Sequence, residues 1–143
     1  MSSQSIPARS ARTRLILLIA LLVVMAVPVV WIWARPNTQP DAAEGEAVAA
    51  DFLSRLREGK PELAWESTTA EFKSARGKDS FVSFVKPEMF LKEPLEFVST
   101  QTVVVQDQPH SEFVFRSASG PRVRIVVGRE GGEWKVARWN LEK

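Results

Sequence analysis

Residues 95–106 read LEFVSTQTVVVQ, a run dense in β-branched side chains, and at this point the chain changes its period. Such a run predicts a strand. Toward the C-terminus, residues 111–117 and 122–128 alternate apolar with polar, and residues 133–141 make a fourth strand. Ser119-Gly120-Pro121 and Gly131-Gly132 supply the turns between the last three strands. Connections this short require antiparallel neighbours, because a parallel crossover needs about a dozen residues or more. Val123, Ile125 and Val127 form one face of their strand and Arg122 and Arg124 the other, which reads as core against solvent. The last strand has a tryptophan in each alternate set, Trp134 and Trp139. A bulge or burial on both sides would explain that pair.

Upstream of Pro94 the spacing is helical. Val48, Ala49, Phe52, Leu53 and Leu56 recur on one side of a helix, opposite Glu44, Asp51, Ser54, Arg55 and Glu58. Asp41 is placed to cap this helix with Glu44 completing a capping box, and Gly59 ends it. Pro61 suits the first turn of a second helix carrying Leu63, Ala64 and Trp65 inward, continued irregularly from Thr68 to Phe72. Asp79 is the expected cap of a third, with Phe81, Phe84 and Val85 inward and Pro87 closing it. The expected architecture is α+β, three helices on one face of a four-stranded antiparallel sheet.

Residues 15–34, LILLIALLVVMAVPVVWIWA, contain no charge. At ~1.5 Å per residue they span roughly 30 Å, the thickness of a bilayer's hydrocarbon core, and predict an N-terminal transmembrane helix. Arg9, Arg12 and Arg14 precede the run, only Arg35 closely follows it, and no acidic residue occurs before Asp41. This imbalance places residues 1–14 in the cytoplasm and residues 41–143 outside it. A bacterial inner membrane with the domain on the periplasmic side fits. A cleaved secretory signal is the competing reading, but Ile32 and Pro36 around a cut after Ala34 make a poor small-residue site. Residues 35–40, RPNTQP, form a short connector that keeps the domain close to the membrane.

Four of the 19 basic residues flank the apolar run, which leaves 15 against 17 acidic residues in the domain, a formal charge of −2. The pI near 9.2 therefore misleads, and nucleic-acid binding is disfavoured. The absence of cysteine excludes thiol catalysis, thiolate metal sites and lipid attachment through sulfur. No phosphate loop, dinucleotide fingerprint or metal-binding helix pattern occurs. No cofactor and no metal are expected.

Three stretches together resemble the nuclear transport factor 2-like superfamily, also called the cystatin-like cone. They are the opening AVAADFLSRLREGKPELAWEST, the Asp79-Ser80-Phe81 lead into SFVSFV, and the closing GGEWKVARWNL, over roughly residues 42–141. The resemblance implies a curved sheet wrapped against helices and is nearly silent on activity, since the superfamily includes isomerases, dehydratases, transport factors and secretion scaffolds. Membrane-anchored extracytoplasmic members are typically partner-binding or uncharacterised. Members similar to ketosteroid isomerase pair an acidic base with tyrosine, and this chain has no tyrosine. Relatives that use Asp and His pairs would need His110, which is expected at a turn or strand edge outside the cone.

The expected function is a single-pass membrane-anchored, non-catalytic domain that binds a protein partner or a second copy of itself. A carrier or sensor of a small apolar ligand is the alternative, with Trp65, Phe72, Phe81, Phe84 and Trp139 lining an apolar cone, although core packing is the default for such residues. Arg116, Arg122, Arg124, Arg129 and Arg138 could form a basic stripe facing anionic headgroups or an acidic partner. Interleaved Glu112, Glu130 and Glu133 favour a solvated face of ion pairs instead. An isomerase or dehydratase using Glu66, Glu71 or Asp79 as a raised-pKa base ranks below both. Ser83-Phe84-Val85-Lys86 matches the Ser-x-x-Lys spacing without the motifs that accompany it, and is read as coincidence.

Overall fold

A computed structural model of the chain describes residues 39–143. The span expected at 15–34, its basic flank 1–14 and most of the connector lie outside the described residues. Among the described residues no helix is long and apolar enough to cross a membrane.

Helix α1, Ala42–Arg57, starts where Asp41 accepts a hydrogen bond from the Ala42 N–H at 2.9 Å. Its buried residues, Gly45, Ala49, Phe52, Leu53 and Leu56, follow the helical period, and Gly59 at φ +73° turns the chain away. Helix α2, Pro61–Glu66, is shorter than two turns and sends Pro61 and Ala64 to the core. Leu63, expected inward, is 45% exposed because so short a helix offers a single narrow inner face.

Beyond α2 the structure departs from three helices: four α-helices and a 3-10 turn precede the sheet among the described residues. Thr69 caps a separate helix, α3, Ala70–Ala75, by accepting from the Phe72 N–H. Helix α4, Lys78–Val85, is preceded by Gly77, so Asp79 lies in the first turn instead of at the cap, still at the positive end of the helix dipole. Phe81, Val82 and Val85 are buried, whereas Phe84, expected inward, is 41% exposed on the flank of that stripe. A 3-10 turn, Met89–Lys92, buries Phe90 and Leu91.

The sheet contains β1, Leu95–Val105, β2, Gln108–Ser117, β3, Arg122–Glu130, and β4, Glu133–Glu142, antiparallel and in chain order. All four predicted strands occur. The β1–β2 turn passes through Gln106 and Asp107, both at positive φ. The helices cover one face of the sheet, which presents Phe113, Phe115, Val123, Ile125, Val127 and Val136 to them.

A bulge in β4 settles the tryptophan question. Val126 pairs with Arg138 while Val127 pairs with Val136, so Ala137 is the extra residue. Trp134 and Val136 precede it, Trp139 and Leu141 follow it, and the change of parity lets both sets pack on the core. A second register shift occurs in β1 between Phe97 and Ser99.

Candidate interaction surface

The interior of the helix-covered face is filled by rings. Phe81 meets Phe52, Phe72 and Trp139, and Phe52 meets Trp139, at centroid distances of 5.4 to 6.1 Å, each tilted or edge to face. Phe52 and Phe81 are fully buried. Of the residues expected to line a pocket, Phe72, Phe81 and Trp139 are therefore neighbours within the core. Phe84 touches Trp139 edge-on at 6.0 Å from the rim. Trp65 lies apart: its indole N–H donates to the Arg76 carbonyl at 2.8 Å, and the Lys73 and Lys78 ammonium groups stand over its ring. No buried side-chain nitrogen or oxygen among the described residues lacks a hydrogen-bond partner.

The carboxylates weighed as bases point elsewhere. Glu66, Glu71 and Asp79 are all exposed. A hydrogen bond from Lys78 at 2.9 Å, reinforced by its charge, holds the Glu66 carboxyl below its ordinary range, opposite to the shift a neutral-pH base requires. His110 lies on β2, half-buried, with Nδ1 3.1 Å from the Gln108 carbonyl oxygen. Among the described residues no group of three His, Asp or Glu side chains could hold a metal ion.

Four of the five arginines, Arg116, Arg122, Arg124 and Arg138, share the face of the sheet away from the helices. Arg129 falls on the other face, where its guanidinium stands over Trp134 at 5.3 Å. Glu96, Arg116, Arg122 and Glu142 occupy one row across the four strands, acidic residues at both ends. Arg124 binds Glu142 at 3.0 Å and lies 3.7 Å from Glu112, and hydrogen bonding to Glu142 raises its pKa further. Arg138 lies 3.9 Å from Glu71. Arg124 and Arg138 are thus paired with carboxylates, and exposed ion pairs contribute little, whereas Arg116 and Arg122 stand opposite each other on β2 and β3.

The tip of the β1–β2 hairpin leans over this same face. Val103 and Val105 line a hollow of about 220 Å³ with Glu112, Arg124, Val126 and Arg138, and Gln106 donates to Glu71 on α3 at 3.0 Å. Gln101 donates to Glu112 inside the hairpin.

The least satisfied apolar surface is on the β1 side. Phe97 is 41% exposed although its ring lies edge-on against buried Phe115 at 5.7 Å. Close by, α1 and β1 border an open cleft of about 440 Å³ lined by Leu53, Leu95 and Phe115, with Asp51, Ser54, Arg57 and Glu93 also bordering it. Val98 and Val104 of the same strand are also exposed. Apolar surface bordered by charge is the ordinary anatomy of a protein-binding patch. Sequence reading missed this surface because Phe97 and Phe115 sit in separate runs, and only the register of β1 on β2 brings them together.

No protein-family model and no curated protein matches the chain. Among solved structures it is similar to an NTF2-like (nuclear transport factor 2-like) protein of unknown function from Pseudomonas putida KT2440. The two share 16% sequence identity at a TM-score of 0.43, over 71% of this chain and 86% of that one. A similarity of this size carries no activity, ligand or partner across.

Proposed function

We propose that the chain is a single-pass membrane protein, held by residues 15–34 with the N-terminus in the cytoplasm. Residues 41–143 are then a non-catalytic nuclear transport factor 2-like domain outside it, on the periplasmic side of a bacterial inner membrane, that binds another protein through its β1 side. The order of helices and strands supports the family reading, and the uncharged run with its basic flank supports the anchor. The observation that carries the binding reading is Phe97, 41% exposed beside the α1–β1 cleft on a strand that also leaves Val98 and Val104 exposed.

A photo-crosslinking residue placed at Phe97 of the full chain in membranes tests this. Discrete adducts at Phe97, absent from a control placed at Glu133 on β4, are expected. Equal labelling at both positions, or none at Phe97, would overturn the reading. A reporter fused after Lys143 that proved cytoplasmic would overturn the orientation.

The second reading is a small apolar ligand, for which Leu53, Leu95 and Phe115 supply the apolar part of this open cleft. A small apolar ligand held there would copurify with the chain and be visible by native mass spectrometry. Filling the cleft by Ala50→Arg, at an exposed position of its wall, would remove it.

A further inference from the structure

We infer that the hollow at the C-terminal end of α1 is a socket for an acidic segment of another protein, one that inserts a single apolar side chain between Lys86 and Lys92. The inference goes beyond the β1-side reading, and the two surfaces share no lining residue.

Four elements meet at this hollow. Leu56 near the end of α1, Pro61 at the start of α2, Val85 at the end of α4 and Leu91 in the 3-10 turn are all buried, yet each borders an open volume of about 150 Å³. An apolar cavity of that size holds one benzene ring. The fit is therefore to one side chain the size of phenylalanine or leucine, and the walls that would receive it are core residues already held in place.

The rim adds charge of one sign. Lys86 follows the last turn of α4 and Lys92 ends the 3-10 turn, and both are exposed. Among the described residues neither ammonium group has a carboxylate within ion-pair distance, whereas Lys60, Lys78, Lys135 and Lys143 each have one. The acidic residue that borders the hollow, Glu88, is already bound by Lys143 at 2.8 Å, with its side chain only 15% exposed. Met89, next in the chain, is 65% exposed and continues the apolar surface past the rim. A flexible thioether adapts well to a partner's shape.

This combination selects the occupant. A phosphate or a lipid headgroup would meet the lysines and leave the socket empty. A fatty acid would fill the socket, but its one charged head would meet one lysine. An apolar side chain with carboxylates on both sides uses the socket and both ammonium groups. Opposite charge steers such a segment and fixes its register, while the desolvated anchor supplies most of the affinity.

The probe that tests this is a fluorescently labelled peptide, Glu-Asp-Phe-Asp-Glu, titrated against the full chain in a zwitterionic detergent and read by anisotropy. Binding is expected, and it should weaken as salt is raised. It should weaken roughly tenfold or more when the peptide's phenylalanine is replaced by glycine, and again when the chain carries Lys86→Glu and Lys92→Glu together. Both lysines are exposed, so the far-ultraviolet spectrum of that variant should match the parent. Lys73→Glu with Lys135→Glu makes the same change in net charge on α3 and β4, and should bind as the parent does. No binding, equal binding of the glycine peptide, or equal loss in the Lys73 and Lys135 variant would overturn the socket. Displacement of the peptide by glycerol phosphate or by hexanoate at equal concentration would overturn it in favour of a headgroup or a fatty acid.

Discussion

Gln106, at the tip of the β1–β2 hairpin, donates a hydrogen bond to Glu71 on α3, thirty-five residues earlier in the chain. The strand farthest from β4 in the sheet is thereby tied to a helix that borders β4. Because the bond is exposed, it governs the position of the tip more than the stability of the fold. Glu71→Ala is expected to speed amide exchange across residues 103–109 while lowering global stability by about 1 kcal/mol or less. Hydrogen exchange read by mass spectrometry, with a denaturant melt alongside, separates the two effects.

Gly45 faces Phe113 from the first turns of α1. A Cβ built there would sit 2.3 Å from the Phe113 ring and 2.7 Å from Pro40. Gly45→Ala would ordinarily gain about 1 kcal/mol in a helix interior. Here the overlap with a fully buried ring is expected to cost about 1–3 kcal/mol and reverse the sign. Thermal unfolding should show a lower Tm, and a higher one would show that α1 can move off the sheet.

Deleting Ala137 removes the extra residue of the β4 bulge and forces one half of the strand to turn over. Either Trp134 and Val136 or Trp139 and Leu141 would then face water, at about 1.5–3 kcal/mol for each large side chain lost from the core. Against the 5–15 kcal/mol typical of a whole domain, that loss is expected to unfold the protein or nearly so. Ala137→Ser keeps the residue count and should unfold close to the parent in urea.

Glu66 and Lys78 link α2 to α4 at 2.9 Å, and their titrations shift in opposite directions. The Lys78 hydrogen bond lowers the Glu66 pKa, so this contribution is present above the unfolded glutamate value and is lost as pH falls through the lower folded value. Its bond to Glu66 raises the Lys78 pKa, so that contribution is present below the ordinary 10.5 and is lost as pH rises through the folded value. The link therefore holds across neutral pH and fails at both extremes. In Lys78→Ala the Glu66 carboxyl should titrate back toward 4.5, which carbon-detected nuclear magnetic resonance would read.

Much of this architecture is legible in the residues. The 3.6-residue period of α1 and the alternation of β3 fix their inner faces without help from the rest of the chain. Short helices are another matter. Over the eight residues of α4, Phe81, Val82 and Val85 already complete the buried stripe, and Phe84 is left at its margin. The hairpin turn at Gln106 and Asp107 was invisible for a related reason, since it uses left-handed backbone without glycine or proline to mark it. The candidate surface was hidden more deeply, because Phe97 and Phe115 meet through strand register alone.

Sheet order follows chain order, and this has a consequence for how the molecule comes into being. The helices are synthesised first, yet the rings of Phe52, Phe81 and Phe84 find Trp139 only when the fourth strand arrives. Until then a growing chain displays greasy helices with an unfinished sheet, the condition in which chaperones bind and proteases cut. Completion of the last hairpin is thus the moment at which a nascent chain passes from vulnerable to durable.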